Sequence, residues 1–582
     1  MRLKFLVSVV FVGAALGLAA CSSQPAETPA TTAPAAPTKP ALGIKPFGTA
    51  DPNFKPDYSS LDPQVAKAFE HIDQNIDFHV GEFQKWLQQP SISNSGEGIP
   101  ESAEMVKGFF DELGCQHSQV YDTGITEYGS PGNPVVYAYC NEGQPKTVAF
   151  WWQADTMPVT QVDNWIAPPF EARLVSGEEA IAPNASRVVI ARGAANSKGG
   201  HAAQLAALRS WRAVNGKFPV NLIFVAEFDE ERMDIGLRKF FQDHSDLLVE
   251  ADVLYSGGPS EGAIAFELTT SGKAWGRGPT VSDIHGVNKR TVDSPAWRHI
   301  EMLASLVDDN GNKPLIDGFF QNKEEPTPEQ VATMKKNSAG RDLVASAKQS
   351  GIARYISDDP YMVSYMGSFG TSFNMDGVWG GNMYAGGAGA ILPNKLTSKH
   401  NFRYVPKMMG LDILKKLRAQ IDKNGYKDVE LKLVGDVPWS RGTKNPDNDM
   451  TLAGRAARES FVKAGLISPE GAGAGGGRGG FANADPFNEK SIGATSGGYW
   501  PSYLWTDGEV GEKVGTVFLP MGQGGVGGGG GGRAHASNEY FTIESINKGS
   551  GFAHSAKGVL MSLYHFSKIN NTPPKPKGVT KF

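Results

Sequence analysis

The run VAFWWQADTMPV, from Val148 to Val159, is apolar until it stops at Gln153, Ala154 and Asp155. Further along, FVAEFDEE closes on Asp229, Glu230 and Glu231, and ADVLYSG closes on Gly257. Carboxylates delivered to one place by separate apolar runs can pass protons to a bound molecule or help hold a cation. Gln153 is the odd member. An amide stands where a metal-binding protein would place a histidine, and an amide carbonyl is a poor substitute ligand for zinc. Taken alone, Glu230 and Glu231 would also suit the positive end of a helix. Their position after a buried strand is what marks them.

Such a rim needs strands to present it. Strand-like runs PVVYAYC, KTVAFWWQ, RVVIARG, FPVNLIFVAEF and ADVLYS alternate with helical patterns at about 198–214 and 236–244. That alternation predicts an α/β fold with a mostly parallel sheet covered on both faces, and such sheets work at the carboxyl ends of their strands. Before the first strand, SSLDPQVAKAFEHIDQNIDFHVGEFQKWLQQP predicts a Ser-capped helix ended by Pro90, and a second helix runs from Glu101 to Leu113 and stops at Gly114. From about Phe266 the pattern becomes strand, helix, long polar stretch, strand and helix, which predicts an inserted α+β lid. The Gly-rich stretches GAGAGGGRGG and GQGGVGGGGGG lack the strand and helix context of a phosphate loop and read as loops around a cleft.

A chain of 582 residues with a formal charge of −5 and no basic run offers no electrostatic footprint for nucleic acid. Arg2 and Lys4 precede the apolar run Phe5 to Ala20, which ends LAAC at Cys21. This resembles a bacterial lipoprotein signal peptide, and implies cleavage before Cys21, a lipid on its sulfur, and an outer-membrane location facing the periplasm or the cell surface. The expected organisation is signal peptide 1–20, a Pro/Ala/Thr-rich tether 21–58, catalytic domain 59–265, lid 266–437 and catalytic domain again 438–582. Cys115 and Cys140 are the only cysteines of the mature body, as a disulfide or as two buried thiols.

The order QADTMPV, WIAPPF, ARGAANSKGG, DEE, DIHG, FRYVP, GGYWP and HASNE resembles the zinc peptidases and amidohydrolases that include carnosinase, aminoacylase and succinyl-diaminopimelate desuccinylase. The resemblance covers about Leu61 to Ile546. It implies a catalytic domain with an inserted lid that mediates dimers, two zinc ions, and hydrolysis of an amide bond beside a substrate carboxylate. By the same resemblance Glu230 is the general base, Asp155 steers the first metal histidine, and Glu231 and His535 are metal ligands. His285 is the lid histidine that steadies the oxyanion across a dimer, and Arg403 grips the substrate carboxylate with its bidentate fork. Lys198, in SKGG, is as much a structural as a catalytic candidate.

Three positions depart from that pattern. Gln153 replaces the first histidine ligand, Asn196 the bridging aspartate and Gly257 the last aspartate ligand, so Glu231 and His535 alone remain of five. One carboxylate cannot neutralise two zinc ions. The expectation is therefore an enzyme hydrolysing small peptides or N-acyl amino acids with at most one zinc or other divalent metal, or with none, using Glu230 as base. Asn196, Tyr499 and Trp500 are expected to line the substrate. The alternatives are a protein that binds such ligands without hydrolysing them, and a metal-free lyase or cyclase that uses Glu230 for proton transfer.

Overall fold

The computed structural model describes residues 42–47, 53–182, 184–255, 260–383, 386, 389–440, 449–467, 501–506, 511, 517–519, 530–571 and 580. The signal peptide, Cys21, the stretch GAGAGGGRGG, residues 522–529 of the second Gly-rich stretch, Gly257, Tyr499 and Trp500 lie outside them.

Thr147–Gln153 is a strand because its β-branched and aromatic residues are buried on both faces, the pattern of a covered parallel sheet. Alternation sends Val148, Phe150 and Trp152 into one core with Trp86, Phe110, Phe224 and Phe541. Ala149 and Trp151 enter the other with Tyr137, Phe240, Phe241 and Trp505. With strands numbered in chain order, the sheet contains β1 (His117–Tyr121), β2 (Val135–Cys140), β3 (Thr147–Gln153), β6 (Asn221–Glu227), β7 (Val253–Tyr255) and β16 (Val517–Leu519) in the order β1-β2-β6-β3-β7-β16. The pairs β6/β3, β3/β7 and β7/β16 are parallel, whereas β1/β2 and β2/β6 are antiparallel. Cys115 and Cys140 form a disulfide beside β1 and at the end of β2.

RVVIARG does not join this sheet. Its strand β5 (Ala185–Ile190) lies between β4 (Arg173–Ser176) and β18 (Tyr540–Ser545) in a separate antiparallel sheet completed by β17 (Gly531–Gly532). The apolar run identifies a strand but not its partner, and β18 is about 350 residues away in sequence. The long helix expected before Pro90 is two helices, Pro63–Gln74 and Ile76–Gln88, broken at Asn75. Asn75 turns its amide back onto the His71 carbonyl, and the cap is Asp62, which accepts from Gln64 N, not a serine.

The inserted region is a second antiparallel sheet. Strands β8 (Gly262–Ser271), β12 (Ser372–Trp379), β14 (Lys395–Tyr404) and β15 (Glu430–Val437) run in the order β12-β14-β8-β15. Short pairs β9 (Ile284–His285) with β13 (Ile391–Leu392), and β10 (Val307–Asp308) with β11 (Lys313–Pro314), decorate it. Helices Pro295–Ala304 and Gly410–Lys423 cover the sheet through Phe266, Met302, Phe402 and Leu417. At Gly262 a Cβ would collide with the Tyr404 ring, so glycine lets β8 and β14 meet tightly where the lid begins. The polar stretch between them holds three helices, Pro328–Ser338, Leu343–Ser350 and Pro360–Phe369. They carry little apolar periodicity, but each starts on a side-chain cap, at Thr327, Asp342 and Asp359, the signal that locates them.

Candidate functional site

Register sets the site. In the parallel pair β3/β6, Gln153 lies beside Glu227, so both strands end at the same level and the chains that leave them share one rim. Two residues on, Asp155 is fully buried and its Oδ2 accepts from Glu231 N at 3.0 Å. Burial, then the charge of Glu231, hold its carboxyl well above the usual carboxylate range, against the Glu231 N–H that favours ionisation. Asp229 holds the short 3₁₀ turn Glu230–Arg232 in place. Its carboxylate accepts from Asn133 N at 2.7 Å, Asn133 Nδ2 at 2.8 Å, Gly236 N at 3.1 Å and Arg232 Nη1 at 2.9 Å. Burial nevertheless pushes it up to about 6.

The departures from the ligand pattern close onto the carboxylates that remain. Gln153 Nε2 donates to Glu230 Oε2 at 2.7 Å, and Gln153 Oε1 accepts from Ser197 Oγ at 2.9 Å. Asn196 Nδ2 donates to Glu231 Oε1 at 2.8 Å and lies 3.0 Å from His535 Nε2, which is itself 2.8 Å from Glu231 Oε1. The rim therefore gathers Gln153, Asp155, Asn196, Ser197, Glu230, Glu231 and His535. The His535 side chain is 48% exposed, while Glu230 is buried, so the rim opens to solvent on the His535 side. The Glu230 carboxyl is held well above its ordinary value by burial first, then by Glu231, Asp234 and Asp155, and Arg403 pulls it back down.

Arg403, on β14 opposite Ala263, donates from Nη1 to Glu261 Oε1 at 3.3 Å and carries the lid's charge toward Glu230. His285 is on the lid surface, where Nδ1 accepts from Val287 N at 3.1 Å; no hydrogen bond joins it to the rim cluster among the described residues. Lys198 turns away from Ser197, and its buried Nζ donates to Trp86 O at 3.3 Å and Gln89 O at 3.1 Å. Burial lowers it to about 7. That is a tie between the helix start and the 86–89 backbone.

Four participants escaped the sequence reading: Ser197, Glu227, Asp234 and Glu539. Ser197, in the turn before helix Gly199–Asn215, finds its partner Gln153 at the end of β3, 44 residues earlier. Glu227 accepts from Trp151 Nε1 and faces the fully buried Asp234. Burial holds both carboxyls well above the ordinary range, and the charge of Asp234 adds to the rise at Glu227. The signal for Glu227 was its place as the last residue of a buried strand, and for Glu539 its place in the HASNE motif beside His535.

The donor set does not fit two zinc ions. A zinc pair takes anionic or imidazole ligands, and here two ligand positions are amides whose N–H groups point at Glu230 and Glu231. An N–H aimed at a carboxylate stands where cation charge would otherwise lie. Among the described residues no three His, Cys, Asp or Glu side chains converge as a metal site.

Residues 154–477 match the sequence profile of peptidase family M20/M25/M40. A β-Ala-His dipeptidase of Rattus norvegicus is 24% identical over 432 residues, 68% of this chain and 83% of that protein. A Cys-Gly metallodipeptidase of Schizosaccharomyces pombe is 24% identical over 511 residues, 83% of this chain and 95% of the relative. Among solved structures, human carnosine dipeptidase 1 superposes with a TM-score of 0.67 at 18% identity, covering 87% of this chain and 100% of the other. The di-peptidase Dug1p of Saccharomyces cerevisiae gives 0.67 at 20%, covering 87% and 99%.

Proposed function

This chain belongs to peptidase family M20/M25/M40, an enzyme of the peptidase and amidohydrolase kind, and on that premise we propose that it hydrolyses an amide bond in small peptides or N-acyl amino acids that carry a free carboxylate. The observation that carries this reading is Glu230: a buried carboxyl at the rim, oriented by Gln153 at 2.7 Å and sensing Arg403 from the lid. Glu230 takes a proton from water, the water oxygen bonds to the carbonyl carbon, and the C–N bond breaks as Glu230 returns the proton to the leaving nitrogen. Arg403 holds the substrate carboxylate through its two parallel donors. The names of the dipeptidase relatives make β-Ala-His and Cys-Gly the first substrates to try.

At most one divalent metal, on Glu231 and His535, accompanies this chemistry. The body is carried on a lipid at Cys21 in the cell envelope and pairs with a second copy through the lid. The support for pairing is the large apolar side chains that two lid elements leave exposed, Met375 at 54% on β12 and Trp297 at 63% on helix Pro295–Ala304. Capture of such ligands without turnover is the second reading, favoured by the Gln153 and Asn196 amides that already occupy Glu230 and Glu231. Assaying Cys-Gly, β-Ala-His and N-acetyl amino acids against the purified soluble body separates the two. Turnover abolished by Glu230→Gln is expected. Ligand-induced thermal stabilisation that survives Glu230→Gln, with no turnover of any amide, favours capture.

A further inference from the structure

We infer that Glu539 is a positioning residue of the cleft, acting through Asn196 without touching Glu230 or Glu231 itself. Its carboxylate is fully buried just before β18. Oε2 accepts from Arg192 Nη1 at 2.7 Å and Gly193 N at 3.0 Å, and Oε1 accepts from Ala195 N at 2.9 Å and Asn196 N at 2.8 Å.

The segment it serves needs such an acceptor. Leaving β5, the chain turns through Gly193 at φ +87° and Asn196 at φ −121°, ψ 85°, before the helix Gly199–Asn215 begins. Neither conformation belongs to a helix or a ladder, so these N–H groups find no regular partner, and buried N–H groups without an acceptor are costly. Successive N–H groups in a turn form a concavity that suits an anion. Here the chain's own carboxylate fills it, with the buried Arg192 balancing the charge.

The consequence reaches the cleft through one residue. Asn196 is pinned at its backbone N, and its side chain then spans to Glu231 at 2.8 Å and to His535 at 3.0 Å. The stretch 535–539 thus supplies both a cleft histidine and the anchor for the residue that meets it. Displacing the anchor shifts Asn196 relative to both partners, and misplacement of about 1 Å is worth on the order of a hundredfold in rate.

The kinetic arm of the test rests on the hydrolytic reading above, and the exchange arm does not. Full chains carrying Glu539→Gln, Asn196→Ala and both are compared with wild type by amide hydrogen exchange and by hydrolysis of Cys-Gly. In Glu539→Gln, exchange at 193–196 is expected to speed up roughly tenfold to a hundredfold, with β8 of the lid unchanged. The loss in Cys-Gly hydrolysis falls on kcat more than on KM, and the double variant is no worse than the poorer single one. If Glu539→Gln does not fold, Glu539→Asp keeps the charge for Arg192 and must still lose protection at 195 and 196. Unchanged exchange at 193–196, exchange raised equally through β5, β18 and the lid, or losses that multiply in the double variant would overturn the inference. If wild type cleaves no Cys-Gly, the hydrolytic reading fails for that substrate and the exchange result alone decides the role of Glu539.

Discussion

Two buried polar networks, one at the rim of the main sheet and one inside the lid, are built from opposite kinds of group. In the lid, His400 Nδ1 lies 3.3 Å from the Asn374 carbonyl, which can only accept, so that nitrogen carries the proton. The rest follows in one direction. Ser398 Oγ donates to His400 Nε2 at 2.6 Å and accepts from His299 Nε2 at 2.8 Å, and Thr270 Oγ1 donates to His299 Nδ1 at 2.9 Å. Each of these hydrogen bonds joins a donor to an acceptor, and the whole chain is neutral. The rim instead crowds the buried carboxyls of Asp155, Glu227, Glu230 and Asp234 together, with the Gln153 and Asn196 amides donating to Glu230 and Glu231. A satisfied neutral network specifies structure, whereas a carboxyl cluster held above its ordinary protonation range costs stability and persists where chemistry uses it.

The sharpest way to break this contrast is Glu230→Gln. The amide fits the same space, so the fold is expected to hold while kcat/KM on dipeptides falls about a hundredfold to ten-thousandfold. A comparable loss from Ser398→Ala, in the lid network, would erase the distinction. Arg403→Ala is next: KM for a dipeptide should rise roughly tenfold to a hundredfold, while a C-terminally amidated dipeptide loses little.

Acid separates the networks by stability. Burial lowers both His299 and His400 to about 4, His400 adding to the effect at His299, and the charge of Asp376 pulls His400 the other way. Unfolded histidines take protons near 6.5, so the folded lid is favoured fully above that pH. Stability is then lost as pH falls from about 6.5 towards 4, by about 1.4 kcal/mol per pH unit for each histidine. Thermal melts of wild type and a His299→Gln, His400→Gln variant across that range check it; equal slopes would contradict it.

The smallest effect is expected at Asp234→Asn. The Asp234 carboxyl is pushed up by burial, so its cost grows as pH rises above the unfolded value near 4. The variant should gain about 1 kcal/mol at pH 8 and little at pH 4, read from denaturant midpoints.

The sequence made some of this legible and hid the rest for physical reasons. Gln153, Asp155, Glu230 and Glu231 could be read because apolar strands end beside them and parallel register brings those ends to one level. His535 and Asn196 were placed by motif resemblance, yet their contact with Glu231 bridges 304 and 35 residues of sequence, a distance that spacing does not encode. Glu539 was hidden because its partners are mostly backbone N–H groups, which any sequence supplies. The placing of β5 in a second sheet was hidden because the strand that covers it arrives only at Tyr540. The lid helices between 328 and 369 went unread as part of a polar stretch, because they carry side-chain caps but little apolar stripe.

On the function proposed above, the Gln153 and Asn196 amides stand where a zinc pair would need ligands. Elemental analysis of the purified soluble body, paired with Cys-Gly and β-Ala-His hydrolysis with and without chelator, tests it most directly. At most one divalent metal per chain is expected, with turnover that depends on Glu230. Two zinc ions per chain, with activity abolished by chelator and restored by zinc, would contradict it.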